Sequence, residues 1–369
     1  MPNELETLAE FDVVAADRDL THVVVQSLDL RPREDVLVHC RVDGALFMGC
    51  DLTVASADDL RARGALLFPR ITDTPLNPYR AALYRSANLY DTSPDGSYLD
   101  SFDARAYAWS RSGGVSSLER TLVSALHDHA ISDALDEFLA GRSSQHVVGI
   151  MGGHAVLRGS PEYASTAALA MTLAGGEFLV ASGGGPGAME AANLGARLVP
   201  HGPEALDEAL TILAGVPSFH PSIDDWVRVA FDVRSRYAGG GDTLGVPTWF
   251  YGHEPPNAFA THIAKYCSNA LREDVLLQRC KGGLVYLPGA AGTVQELFQA
   301  VTGNYYAAHQ SAITPLVLVG KRHWTEVLPA WPLLLSLADN RPMAHEMVLV
   351  ETVEEAGEWL IDRWEQSPQ

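Results

Sequence analysis

The chain has 369 residues, 47% hydrophobic and 20% charged, an ordinary globular mixture long enough for about two domains. Its 46 acidic residues outnumber 26 basic ones, for a formal charge of −20. So acidic a surface repels phosphate backbones and anionic lipids, which excludes nucleic acid and membrane surfaces as expected partners; an anionic ligand requires a site with its own positive potential.

No run approaches the ~18 apolar residues of a membrane helix. The acidic opening, MPNELETLAEFD, lacks the order of a signal peptide. Cys40, Cys50, Cys267 and Cys280 form no CxxC pair and are too sparse for a disulfide framework or a four-thiolate zinc site. Reduced thiols and a cytoplasmic location are therefore expected. His127 and His129 diverge by about 200° on a helix, so His127-Asp128-His129 is not expected to hold a metal.

In chain order, HVVVQSLDL (22–30), DVLVHCRV (35–42) and GALFMGCDLTV (44–54) read as strands. A Pro-rich extended stretch (66–84) and a Ser/Gly/Asp-rich loop (91–115) follow, with no internal repeat apparent. A helical period begins near Ser117 and runs to Gly141, which can end it in a left-handed cap. Residues 1–115 are thus expected to form a smaller N-terminal region of mixed or β-rich structure. Residues 116–369 are expected to form a Rossmann-like domain.

From 146 the pattern alternates strand and helix. HVVGIM (146–151), EFLVAS (177–182), LGVPTWFYG (244–252), GLVYLP (283–288) and TPLVLVG (314–320) read as strands, and MVLVETVEEAGEWLIDRW as a last strand–helix pair. Helices are expected between most of them, including a start at Ser160-Pro161 and a long helix from about 257 to 281. Short apolar strands alternating with helices predict an α/β fold with a doubly wound, mostly parallel sheet.

Ligands of such sheets sit in the loops at the carboxyl ends of the strands. Three loops there are rich in glycine: Gly152-Gly153-His154, Gly183-Gly184-Gly185-Pro186-Gly187, and Gly289-Ala290-Ala291-Gly292-Thr293. Small residues admit a ligand to the main chain, and free N–H groups at a helix start attract anions. A Walker P-loop and a clean GxGxxG with its acidic partner are both absent, which argues against NTP hydrolysis and nicotinamide chemistry.

Thr293 and Glu296 fit a capping box, with Thr at the N-cap and Glu three residues later. A carboxylate in that first turn would also be held ionised by the helix dipole, facing the same pocket as the amides. On the expected 257–281 helix, His262, Lys265, Asn269, Arg272 and Glu273 share a sector of about 100°. Ile263, Cys267, Leu271 and Val275 take the opposite side. Arg272 is the candidate for meeting a phosphate or a leaving base, because its planar fork makes two bonds at once.

VASGGGPGAMEAANLGA (180–196) and YLPGAAGTVQELF (286–298) resemble the two signatures of the Lonely Guy family, the second of which reads PGGxGTxxE. Its members are often labelled "lysine decarboxylase-like". The likeness runs from roughly 146 to 320, and the SGGGPGAMEA version is most similar to the nucleotide 5'-monophosphate nucleosidase branch. The resemblance implies hydrolysis of the N-glycosidic bond of a nucleoside monophosphate, without metal or organic cofactor, by a homodimer. It implies catalytic roles for Glu296 and Arg272, and a phosphate-binding loop at Gly289, Ala290, Gly292 and Thr293. Gly152, Gly153, His154, Gly183, Gly184, Gly185, Gly187, Met189, Glu190 and Asn269 complete the expected substrate contacts. Two positions depart from the family: Ala290 replaces the second glycine, and Glu273 replaces the lysine of an Arg-Lys pair. Decarboxylation finds no pyridoxal-phosphate lysine context among Lys265, Lys281 and Lys321. The alternative expectation is a non-catalytic carrier or sensor of a nucleotide or another phosphorylated ligand, such as a pterin cofactor.

Overall fold

The structure, a computed structural model, describes residues 4–93, 96–112, 118–250 and 254–366. The expected boundary at residue 115 and the helix start at Ser117 lie outside the described residues. The chain divides into two compact units, one of residues 1–83 and 111–135, the other of residues 84–110 and 136–369. No described helix is long and apolar enough to cross a membrane.

The first unit holds β1 (Glu4–Leu5), β2 (Val24–Gln26), β3 (Leu46–Met48) and β4 (Leu66–Phe68), all parallel and in sequence order. Between them lie α1 (Leu8–Ala15), α2 (Glu34–Leu37) and α3 (Val54–Ala62). Val24 pairs with Leu46 and Leu46 with Leu66, steps of 22 and then 20 residues. The bridges Asp19–Arg41 and Asp29–Asp51 repeat the 22-residue step. The unit is therefore a short solenoid, and the expectation of no internal repeat is corrected. Leu20 and Val42, Val23 and Ala45, and Val25 and Phe47 are all buried at that spacing. Each coil buries its apolar row only by stacking on the next.

The strand expected over 35–42 is also corrected. Pro32 starts a 3-10 turn that runs into α2. Val36 and Val38 project to solvent while Leu37 and Cys40 are buried, an alternation too short to separate a strand from a helical turn.

The second unit begins with α4 (Ser86–Leu89) and α5 (Phe102–Arg111). Asp103 on α5 explains why 84–110 belongs here. Fully buried, it accepts hydrogen bonds from Lys265 Nζ (2.5 Å), Tyr98 Oη (2.8 Å) and Trp249 Nε1 (2.9 Å). The long helix α6 (Leu118–Leu139) begins in the first unit and ends in the second. Gly141 follows it at φ 82°, in the left-handed conformation expected of it.

Thereafter strand and helix alternate. The elements are β5 (Val147–Met151), α7 (Pro161–Gly175), β6 (Leu179–Ser182), α8 (Ala188–Leu198), α9 (Pro203–Leu213), α10 (Ile223–Arg236), β7 (Thr243–Gly245) and β8 (His262–Ile263). Then come α11 (Asn269–Arg279), β9 (Gly283–Tyr286), α12 (Ala291–Tyr305), β10 (Leu316–Val319), α13 (Ala330–Ala338), β11 (Met347–Val350) and α14 (Val353–Gln366). Ser160 caps α7 through a bond from Tyr163 N, with Pro161 at the first helical position, as the sequence predicts.

The seven strands are parallel, in the order β11-β10-β9-β5-β6-β7-β8. This is the expected doubly wound α/β fold. Val148, Ile150, Val180, Val285 and Val317 form the sheet's contribution to a core closed by Leu169, Leu173, Ala192 and Leu360 of the helices. Helices α7 and α8 meet at Gly195, where any side chain would run into the Ala167 carbonyl.

The helix expected over 257–281 is corrected to α11 alone. Asn257 Oδ1 accepts the N–H groups of Phe259 and Ala260, which diverts the chain from a helix. Thr261, Ala264 and Tyr266 then donate to the backbone of the β7 segment, so this stretch extends the sheet edge. Ser268 starts α11 by capping Leu271 N. His262 and Lys265 therefore leave the predicted polar helix face.

Candidate active site

The chain builds β5 through β8 on one side of the sheet, then returns to build β9 through β11 on the other. The crevice at this reversal lies between the loops that follow β5 and β9, where open α/β sheets bind ligands. A cleft of about 960 Å³ occupies it. Gly152, Gly153 and His154 form one wall, and Gly289, Ala290, Gly292 and Thr293 form the other. Met189, Arg272, Glu273, Gln295 and Glu296 also line it.

The Gly289 loop enters α12 three residues earlier than the sequence predicts. Ala290, at φ −116° and ψ −150°, is the N-cap, and no side chain caps this helix. Thr293 is thus the third helical residue and Glu296 lies in the second turn. The expected capping box is corrected: Glu296 does not reach back to the Thr293 amide. The uncapped first turn, from Ala291 to Thr293, lines the cleft wall.

Glu296 instead meets Arg272. Arg272 Nη1 donates to Glu296 Oε1 at 2.9 Å, with 10% and 12% of the two side chains exposed. Arg272 Nε is enclosed and has no hydrogen-bond partner among the described residues. Glu296 Oε2 accepts no hydrogen bond among them either. Burial pushes the Glu296 carboxyl above its ordinary range; Arg272 pulls it back, by charge and by hydrogen bond, and Glu273 adds to the upward push. The helix dipole plays little part in the second turn. The pair leaves capacity unused on both partners.

Asn269 does not open on the cleft. It donates from Nδ2 to Glu273 Oε1 at 2.8 Å, while Gln295 Nε2 donates to Glu273 Oε2 at 2.5 Å. Glu273 is 1% exposed and stands 4.0 Å from Arg272 Nη2.

The second glycine loop serves packing more than lining. Gly183, Gly184 and Gly185 are buried, and Met189 lies across Gly183 and Gly185. Gly184 O accepts from Asn257 N, and Gly185 O from Asn257 Nδ2. Gly187, at φ 70°, approaches the first loop so closely that a Cβ would stand 2.5 Å from Gly153 O. The first amide of α8, Ala188 N, donates to that same oxygen at 3.2 Å. The free helix start expected here is thus partly occupied by protein.

Glu190 is likewise occupied. Fully buried, it accepts from Arg158 Nη2 at 2.5 Å and from Nε at 2.9 Å. The pair borders an adjoining cleft of about 470 Å³ lined by Trp226, Phe219 and His220.

Several cleft residues fall outside the sequence motifs. Glu254 stands 3.6 Å from His154 Nδ1, and Glu162 borders the same space. His323 follows β10, and its Nε2 accepts from Gly289 N at 3.4 Å. Its place just past a strand's carboxyl end was the available signal. Among the described residues, Glu162, Glu254, Glu273 and Glu296 share the cleft with one arginine and two imidazoles.

Comparison with curated proteins finds no match. Among solved structures, the chain is similar to the molybdenum cofactor binding protein from the phototrophic bacterium Rippkaea orientalis. The identity is 15% and the TM-score 0.37, over 59% of this chain and 96% of that one. Residues 229–357 match the model of the family described as "possible lysine decarboxylase". The matched segment carries Arg272, the Gly289–Thr293 turn and Glu296, whereas Gly152, Gly153, His154 and Met189 of the same cleft lie outside it.

Proposed function

We propose that the protein hydrolyses the N-glycosidic bond of a nucleoside 5'-monophosphate, releasing the free base and ribose 5-phosphate. The observation that carries this reading is the Arg272–Glu296 pair set beside the uncapped first turn of α12 in one cleft. The amides of that turn suit a phosphate, whose charge the helix start favours. The free Oε2 of Glu296 suits the other end of the reaction. Cleavage of the C1'–N bond puts positive charge on the ribosyl ring, and a carboxylate stabilises it in a water-poor site. The same oxygen takes a proton from the attacking water, the electron pair of the broken bond leaves with the base, and that proton then passes to the base nitrogen. Arg272 holds Glu296 in place and offers its unused donors to the base or phosphate.

The cleft does not favour the decarboxylation that the family's description names. No lysine lines the cleft among the described residues, and Lys265 is buried against Asp103. A second reading, a non-catalytic carrier or sensor of a phosphorylated ligand, is supported by Ala290 and Glu273, the two departures from the family pattern. Incubation with AMP, GMP, CMP, UMP and IMP separates the two readings. Hydrolysis yields free base and ribose 5-phosphate in equal amounts, whereas a carrier binds a nucleotide and returns it intact.

A further inference from the structure

Glu273, like Glu162 and Glu254, is a charged residue of the cleft that the proposed reaction leaves unused. It sits where the resemblance calls for a lysine, and it is almost wholly enclosed. Its two oxygens are both engaged, Oε1 by Asn269 and Oε2 by Gln295, so its position is fixed from two helices. Its Oε1 lies 4.0 Å from Arg272 Nη2, while Nη1 of the same guanidinium holds Glu296. One cation therefore serves two carboxylates, and the group carries a net negative charge. An isolated Arg–Glu pair in a low-dielectric site makes its carboxylate a poor base, because all of the cation's field falls on one anion.

We propose that Glu273 is a positioning residue of this centre: clamped by Asn269 and Gln295, it engages the Nη2 side of Arg272 and keeps the free Oε2 of Glu296 able to take a proton. The inference rests on the proposed function only in taking Glu296 as the working carboxylate. The groups that face Glu296 fit this account. Helix α11 brings Arg272 and Glu273, and β9 brings the Tyr286 phenol, which donates to the Glu296 carbonyl. Across the cleft stand His154, Glu162, Glu254 and His323. Burial raises the proton affinity of Glu296 most, Arg272 lowers it, and Glu273 adds a smaller upward push.

The test is the titration of Glu296 itself, followed by its side-chain ¹³C carboxyl resonance and assigned by loss of that signal in E296Q. In E273Q the midpoint is expected to fall by about one pH unit, since a like charge a few ångströms away is gone. The acid limb of kcat/KM for base release moves down with it. Gln295→Lys, at an exposed helix position, neutralises Glu273 in place and lowers the midpoint by about half a unit. D274N removes a charge from the exposed side of the same helix and leaves midpoint and activity unchanged. An unmoved or raised Glu296 midpoint in either E273Q or Gln295→Lys overturns the proposal. The resonance is read without substrate, so a moved midpoint in a protein that releases no base sustains this inference and removes the hydrolytic reading alone.

Discussion

Two buried arginine–glutamate pairs lie in neighbouring clefts of the second unit. In one, Arg158 and Glu190 are each about 1% exposed, and both carboxylate oxygens are bonded. The Arg158 guanidinium also donates to the Trp226 carbonyl and stacks over the Trp226 ring. Burial works against the Arg158 charge, but Glu190 more than offsets it and holds the guanidinium above its ordinary pKa. In the other, Arg272 and Glu296 retain about a tenth of their exposure, one unbonded oxygen and one unpartnered Nε. Saturated, the first pair can only hold structure. The second has capacity left for a substrate.

Breaking the saturated pair should have the largest effect. Glu190→Gln leaves an enclosed guanidinium without its counter-charge, at a cost of about 4 kcal/mol of stability. Chemical denaturation would register that as a marked drop in midpoint; a change within ~1 kcal/mol would mean that water relieves the site.

The open pair should respond in activity. Arg272→Lys keeps the charge but loses the fork, and base release is expected to fall about 10²-fold, near 2.7 kcal/mol of barrier. Its stability should stay within about 1 kcal/mol of wild type. Equal loss of stability and rate would place this pair with the structural one.

His262 sharpens the comparison as an enclosed group whose counter-charge is too exposed to offset its burial. It stacks on Phe138 at 3.9 Å between ring centroids, and the nearest carboxylate, on Asp242, is 3.8 Å away. Burial, aided by Arg85, pushes its pKa down to about 4. The unfolded imidazole titrates near 6.5, so the unfolded chain takes the proton first as pH falls below that value. Stability is then full above about pH 6.5 and declines toward pH 4, by about 2 kcal/mol at pH 5. Melting curves of His262→Gln should show a shallower acid-side decline than wild type.

The doubly wound unit was largely legible in the sequence. Val147–Met151, Leu179–Ser182 and Leu316–Val319 are continuous apolar runs, and such runs fully buried between helices keep their identity whatever the tertiary context. Arg272 and Glu296 could be nominated because glycine loops and helix starts carry local signals. The stretch before α11 was not legible, because AFATHIAKY contains no breaker and only the Asn257 side chain diverts it. Nor was the occupation of Glu190, whose partner Arg158 lies 32 residues away on another loop. In the first unit the 22-residue period was present, but each coil contributes only two or three strand residues, too few to stand out from ordinary apolar spacing.

The most direct measurement compares wild type and Glu296→Gln side by side, each incubated with the five nucleoside monophosphates while free base, inorganic phosphate and melting temperature are recorded. Wild type should release base without inorganic phosphate, and Glu296→Gln should lose about 10³-fold of that rate while melting within a few degrees of wild type. Nucleotides recovered intact from the wild-type reaction, or base released equally well by the variant, would contradict the account.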